Sequence, residues 1–148
     1  MRSPLVFRLL QHGSAEYQES VALRDDVLRR PLGLVFAPEQ LGAEAGDLHL
    51  AGYIDEDLVA CLILVPHDYG EIQMRQVAVR HDLQGRGIGR ELVRESERLA
   101  IDRGFTVMTL NARLSALPFY ERLGYTTVGP EFQEVTIPHR RMVKRMKE

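Results

Sequence analysis

Val77-Ala78-Val79-Arg80-His81-Asp82-Leu83-Gln84-Gly85-Arg86-Gly87-Ile88-Gly89-Arg90 reads as the end of a strand, a loop with three alternating glycines, and the start of a helix. Glycine lets the backbone approach a ligand closely and take left-handed angles at no steric cost. The first-turn N–H groups of a helix lack intrahelical acceptors and carry the positive end of its dipole. Together these make an anion site, usually for phosphate or pyrophosphate, with Arg86 and Arg90 adding charge at its rim. A dinucleotide fingerprint needs glycine at the sixth place, where this chain has Arg90, and an acidic strand-end residue about 20 positions on. A Walker loop needs Gly-Lys followed by Ser or Thr, which is absent. Glycines serving only a tight strand-to-helix turn are the plainer alternative.

Upstream of the loop, Glu71 to Val79 is a strand whose apolar positions slip from Ile72 and Met74 to Val77 and Val79, which predicts a bulge near Gln76 and Val77. Downstream, Gly87 to Arg103 places Ile88, Leu92, Val93, Leu99 and Ala100 at helical spacing, with Gly104 as its stop. Thr106 to Leu110 is the next strand. Following a crossover helix, it is expected parallel to the strand before it. Ala116 to Leu123 is a short helix ended by Gly124, and Tyr125 to Val128 with Arg140 to Arg145 form a closing strand pair. On the N-terminal side, Leu5 to Leu10 is a strand. Ser14 caps a helix to about Arg30, with Tyr17, Val21 and Leu28 on its buried face. Pro31 to Gly46 is loop or broken helix, and His49 to Ile54 with Leu58 to Val65 make an antiparallel hairpin across Asp55, Glu56 and Asp57. The expectation is one α+β domain over 1–148, a mixed and mostly antiparallel sheet with one parallel step in its middle, flanked by helices.

The 148 residues are 45% hydrophobic and 27% charged, with a formal net charge of −2, the balance of an ordinary globular protein. That charge gives no general attraction to nucleic acid or anionic membranes. The basic segment His139 to Lys147 interleaves Met142, Val143 and Met146 with its charges, as a strand with one solvated face does. The single cysteine, Cys61, excludes an internal disulfide and fits a buried, unreactive thiol in a cytoplasmic protein. Its run Leu58 to Val65 is far shorter than the ~20 residues that span a bilayer. Met1 to Gly13 has no signal-peptide pattern. His12, His49, His67, His81 and His139 show no metal-ligand spacing, so no metal is expected.

Gln84-Gly85-Arg86-Gly87-Ile88-Gly89 resembles the coenzyme A signature of GNAT acetyltransferases at every fixed place: Gln or Arg, two residues, Gly, one residue, Gly or Ala. Asn111 and the block Ala116-Leu117-Pro118-Phe119-Tyr120-Glu121-Arg122-Leu123-Gly124-Tyr125 resemble that family's second conserved region. Glu131-Phe132 and Ile137-Pro138-His139, followed by Met142 and Lys144, resemble small bacterial GNAT proteins related to ElaA. The resemblance covers Glu71 to Val128 well and the order of elements throughout. It implies a GNAT fold in which the strands Glu71 to Val79 and Thr106 to Leu110 splay around the pantetheine arm of acetyl-coenzyme A. It further implies that the main chain from Val77 through Ala78 to Val79 meets the thioester and pantetheine. By the same resemblance, Gln84, Gly85, Arg86, Gly87, Ile88, Gly89 and Arg90 hold the pyrophosphate, Asn111 touches the pantetheine or fixes a water beside it, and Tyr120 stands where it protonates the departing sulfur. A strand-end turn residue for Asn111 and a packed aromatic for Tyr120 are the structural alternatives.

Acetyl transfer to an amine needs a neutral nucleophile, a donor for the oxyanion and a proton for the thiolate. A bulge leaves a backbone N–H unpaired, which makes Val77 the expected oxyanion donor. No motif fixes the base: Glu71, His49, Glu134 and His139 are candidates, each more commonly a surface residue. Pro31 to Gly46 and Gly129 to His139 are expected to shape the acceptor pocket, for a small-molecule or peptide amine attacking directly in a ternary complex. No nucleic-acid or membrane partner is expected, and the state is monomer or homodimer. The rival from another class is a non-catalytic acetyl-coenzyme A-binding module that regulates a protein partner.

Overall fold

The computed structural model describes residues 3–34 and 36–147; Met1, Arg2, Val35 and Glu148, hence two positions of the N-terminal reading and one of the Pro31 to Gly46 loop, lie outside the described residues. The strands are β1 (Val6–Leu10), β2 (Leu48–Ile54), β3 (Asp57–Pro66), β4 (Glu71–Val79), β5 (Val107–Arg113), β6 (Thr126–Glu134) and β7 (Ile137–Arg145). The helices are α1 (Ala15–Arg24), α2 (Pro38–Gly42), α3 (Ile88–Asp102) and α4 (Leu117–Arg122). The seven strands form a mixed sheet in the order β1-β2-β3-β4-β5-β7-β6, with β4 and β5 the parallel step and the described pairings β1–β2, β2–β3, β5–β7 and β6–β7 antiparallel. Residues cluster into two compact units, Met1–Val65 with Gln76–Ser96 and Pro66–Arg75 with Glu97–Glu148, so that β4 and α3 each run from one into the other.

In the first unit, Asp55 and Glu56 take φ of 49° and 68°, the left-handed pair a two-residue hairpin turn requires, and they join β2 to β3 as expected. Ser14 caps α1 by accepting from Tyr17 N at 3.1 Å. The helix does not run on regularly to Arg30. It passes into a π turn over Asp25–Arg29 and a 3₁₀ turn over Arg30–Leu32, closed by Gly33 at φ 70°. Its buried face also differs from the sequence reading: Tyr17, Ser20, Leu23 and Arg24 are buried, while Val21 and Leu28 are only partly so. The cause is electrostatic. Arg24 is drawn inward because Glu44 takes both its Nη atoms at 2.9 Å, and Tyr17 Oη donates to the same carboxylate at 2.8 Å. This buried pair ties the Pro31 to Gly46 segment, with α2 inside it, onto α1. Leu23 packs α1 onto the sheet against Ala51, Tyr53, Cys61 and Ala78.

In the second unit, the parallel ladder runs from Glu71↔Val107 to Met74↔Leu110, and β5 continues past it to Arg113. The sequence reading ended this strand at Leu110 because polar Asn111 and Arg113 break the apolar run; they alternate with buried Ala112 on a strand with one polar face. Gly129 to His139, read as a pocket-shaping segment, lies largely in a hairpin. β6 and β7 extend through it to a turn at Val135 and Thr136, at φ 45° and 64°. Ile72, Met74, Met108, Leu110, Ala112 and Met142, none more than 3% exposed, cover one face of this part of the sheet.

Candidate functional site

Gln76 adopts φ 57° inside β4, where a strand residue is normally extended, so the predicted bulge exists and Gln76 is its irregular residue. Val77 and Val79 are half-buried and Ala78 is buried in the core of the first unit. The Gln76 Oε1 atom is buried without a hydrogen-bond partner, an acceptor that an amide N–H of a ligand would satisfy. After the strand, a 3₁₀ turn over His81–Leu83 leads into the glycine loop. Arg80 Nε donates to Asp82 Oδ1 at 2.7 Å, and Gln84 Nε2 donates to the Val79 carbonyl at 2.9 Å. The Gln84 side chain therefore shapes the loop from within, closing it onto the strand it leaves.

Gly85 and Gly87 sit at φ 81° and 84°, which a residue with a Cβ adopts only under strain. A Cβ at Gly85 would meet nothing within 4 Å, and one at Gly87 only Arg90 Nη2 at 3.4 Å. These glycines answer to backbone angle and to what approaches from outside, not to internal packing. The Gly87 carbonyl accepts the first bond of α3, from Glu91 N at 3.1 Å, so the N–H groups of Ile88, Gly89 and Arg90 precede the helix's first bonded donor and have no intrahelical acceptor. Ile88 is buried and pins the helix start, while Gln84, Gly85, Arg86 and Arg90 are exposed. The result is a run of donors at the start of a 15-residue helix, suited to a phosphate-bearing ligand.

In the second unit, Asn111 lies within β5 opposite Arg141, not at the strand's end, and its Nδ2 donates to Glu134 Oε1 at 3.3 Å. Tyr120 is buried on α4. Its ring meets Phe119 and Tyr125 edge-on at 5.0 and 5.8 Å, and burial pushes its phenol up to about 12. Tyr125 is itself anchored through its hydroxyl to Glu97 Oε2 at 2.7 Å, and Lys144 Nζ holds the other oxygen at 2.9 Å. A packed ring and a protonated hydroxyl are thus both present at Tyr120.

A family model for the GNAT acetyltransferase domain matches residues 31–146, including the whole glycine loop and Tyr120. The chain belongs to the GNAT acetyltransferase family. An N-acetyltransferase of Bacillus subtilis, YjcF, whose function is uncharacterised, is 32% identical over 77 residues, 51% of this chain and 54% of that protein. The chain spans about half the length of the curated relatives it matches. Among solved structures, a Lactobacillus plantarum protein superposes with TM-score 0.85 at 24% identity, covering 99% of this chain and 100% of the other. Escherichia coli ElaA superposes with TM-score 0.80 at 20% identity, covering 96% and 100%. At these identities the structures establish the GNAT fold.

The four candidate bases of this GNAT chain fall in different surroundings. His49 is buried in the first unit and its Nε2–H donates to the Glu44 carbonyl at 2.9 Å, as part of the Arg24 network. His139 is buried in the second unit and stacked on Phe132, its Nδ1–H donating to the Ile137 carbonyl at 2.7 Å and its Nε2 lying 3.6 Å from Glu134 Oε2. Glu71 is half-buried and borders a cavity of about 380 Å³ on the second unit's polar face, together with His67, Gln73, Thr109, Asn111 and Arg141. Sequence reading did not single out Gln73, Thr109 or Arg141. Their signal was the strand alternation itself, which sets them opposite Met74, Leu110 and Met142. Among the described residues no cluster of His, Cys, Asp or Glu is arranged to hold a metal, and no helix is long and apolar enough to cross a membrane.

Proposed function

We propose that this chain is an acetyl-coenzyme A-dependent N-acetyltransferase, one GNAT domain over residues 1–148, in which an amine attacks the thioester directly in a ternary complex. The observation that carries the reading is the loop from Gln84 to Arg90, with its two left-handed glycines and the donor N–H groups at the start of α3. Backbone N–H groups of this loop bind the pyrophosphate, with Arg86 and Arg90 at the rim. Main-chain groups from Val77 to Val79 align the pantetheine as an added strand would be aligned, and Asn111 supports it from β5. The bulge at Gln76 re-aims the backbone so that the Val77 N–H donates to the oxyanion, a contribution typically worth about 3 to 4 kcal/mol.

Tyr120 acts on the leaving sulfur. Its phenol is pushed up to about 12, well above a free thiol near ~8.5. Burial that raises the phenol also raises a thiolate beside it, so Tyr120 donates a hydrogen bond to the developing thiolate, worth about 1.5 to 3 kcal/mol, on the way to protonating it. The protein is placed in the cytoplasm, with a small-molecule or peptide amine as its partner. It needs neither metal, nucleic acid nor membrane, and works as a monomer or homodimer.

Thiol release from acetyl-coenzyme A, followed across a panel of amines, tests this reading. The expected result is amine-dependent release with intersecting double-reciprocal lines. Parallel lines would replace direct attack with an acetyl-enzyme, and release from none of the amines would remove the enzymatic function.

A further inference from the structure

Along the second unit's strands, Glu71 and Gln73 of β4, Thr109 and Asn111 of β5, and Arg141 of β7 alternate with the buried Ile72, Met74, Leu110 and Met142. They form one polar face, and the cavity of about 380 Å³ upon it has no aliphatic side chain in its wall. That volume falls in the range of small-molecule sites, which are usually lined mostly by apolar groups. Apart from the exposed ring of Tyr69, an aryl or long-chain amine would find little apolar surface here. A hydrophilic ligand would find donors and acceptors on every side.

The charges in the wall are of both signs, Arg141 against Glu71 and Asp68. Arg141 Nη2 stands 3.9 Å from Glu71 Oε2, and the side chains are 50% and 43% exposed. A pair this long and this wet contributes little to the fold, so a ligand can replace their mutual contact. An α-amino acid carries its ammonium and carboxylate on adjacent bonds of one carbon, a spacing that matches this pair when the two dipoles lie antiparallel. Resting on the N-acetyltransferase reading above, we propose that the acceptor is a small free amino acid or an equally compact zwitterion, its ammonium on Glu71 and its carboxylate on Arg141. Thr109 and the Gln73 amide group, whose Oε1 accepts from His67 Nε2 at 2.9 Å, offer hydrogen bonds to a polar side chain. The carboxylate of the ligand accepts a charge-assisted contact from Arg141, which the corresponding amide or decarboxylated amine cannot match.

Ligand-observed NMR titrations into the full chain saturated with coenzyme A, using serine, serinamide, ethanolamine and benzylamine, test this assignment. Serine is expected to bind at least about tenfold more tightly than the other three, the loss that follows removal of one charge-assisted contact. Arg141→Gln should bring serine down to the level of serinamide, Arg141→Lys should restore part of the difference, and Glu71→Gln should weaken every amine. Both positions are half-exposed, and circular dichroism checks that each variant folds. Equal affinities, tighter binding of benzylamine, binding of none of the four, or a serine preference untouched by Arg141→Gln overturns the assignment. Acetyl transfer to aryl amines alone would sink this acceptor class and leave the enzymatic reading standing. Zwitterion binding with no transfer to any amine would do the reverse.

Discussion

Gln84 Nε2 donates to the Val79 carbonyl at 2.9 Å, so the first residue of the coenzyme signature holds the last residue of β4. Loop and strand are thereby joined before any ligand arrives. Gln84→Leu removes one hydrogen bond, worth about 0.5 to 1.5 kcal/mol, and frees the loop to sample other shapes. The expected result is an acetyl-coenzyme A affinity weaker by about 2- to 13-fold with a melting temperature within a few degrees of wild type. Calorimetry and a thermal scan check the two halves, and unchanged affinity would separate this contact from the coenzyme site.

Tyr120→Phe keeps the ring in its contacts with Phe119 and Tyr125 and deletes only the hydroxyl. Single-turnover rates should fall by about 10- to 100-fold while coenzyme affinity stays the same, the size of a lost hydrogen bond to a charged group. The phenol is pushed up to about 12 by burial, so it stays protonated across the ordinary assay range. No alkaline limb below about pH 10 should belong to it. A variant as fast as wild type would take Tyr120 out of the chemistry.

Arg24 and Glu44 form the buried ion pair that fixes the Pro31 to Gly46 segment to α1, at 1% and 10% side-chain exposure. Arg24→Met leaves a carboxylate buried without its partner and should cost about 3 to 5 kcal/mol, whereas Arg24→Met with Glu44→Leu should recover much of that. Burial alone would raise the Glu44 carboxyl, but the hydrogen bonds and charge of Arg24 outweigh it and hold the group below its ordinary value. A carboxyl depressed in the folded state contributes stability above its unfolded value, and that contribution is lost as pH falls through the folded one. Acid melts of wild type should therefore steepen below about pH 4.5, and those of the double variant less so.

The opposite sign governs alkaline pH. Burial pushes Cys61 up to about 12, and burial with the Glu44 contact does the same for Tyr17. Groups raised in the folded state contribute stability that is complete below their unfolded values and is lost as pH rises through the folded ones. Melting temperature should stay level to about pH 8.5, the ordinary thiol value, and fall above it; Cys61→Ala should delay the onset towards the ordinary phenol value near 10. In native protein at pH 8, a disulfide reagent should label Cys61 no faster than the chain unfolds. Rapid labelling would contradict its burial.

The glycine loop, the bulge at Gln76 and the crossover helix were legible in the sequence because each is local: glycine spacing, a slip in alternation, and a 3.6-residue period. Three features were not. Arg24 is buried by Glu44, 20 residues away, and no local pattern marks an arginine as core. β5 and the β6–β7 hairpin were read too short because Asn111, Arg113 and Glu134 are polar residues on strands with one open face. The cavity beside Glu71 exists only once strands distant in sequence are in register.

Titration calorimetry of acetyl-coenzyme A against the folded chain tests the central claim most directly. One site per chain is expected, with Gly87→Val weakening it by more than about tenfold, since a side chain at φ 84° blocks approach to the loop's N–H groups. The left-handed angle also predicts a loss of about 1 to 3 kcal/mol of stability in that variant, so the comparison is made well below its melting point. Absence of binding of both acetyl-coenzyme A and coenzyme A to the wild-type protein, or equal affinity in wild type and Gly87→Val, would contradict the account.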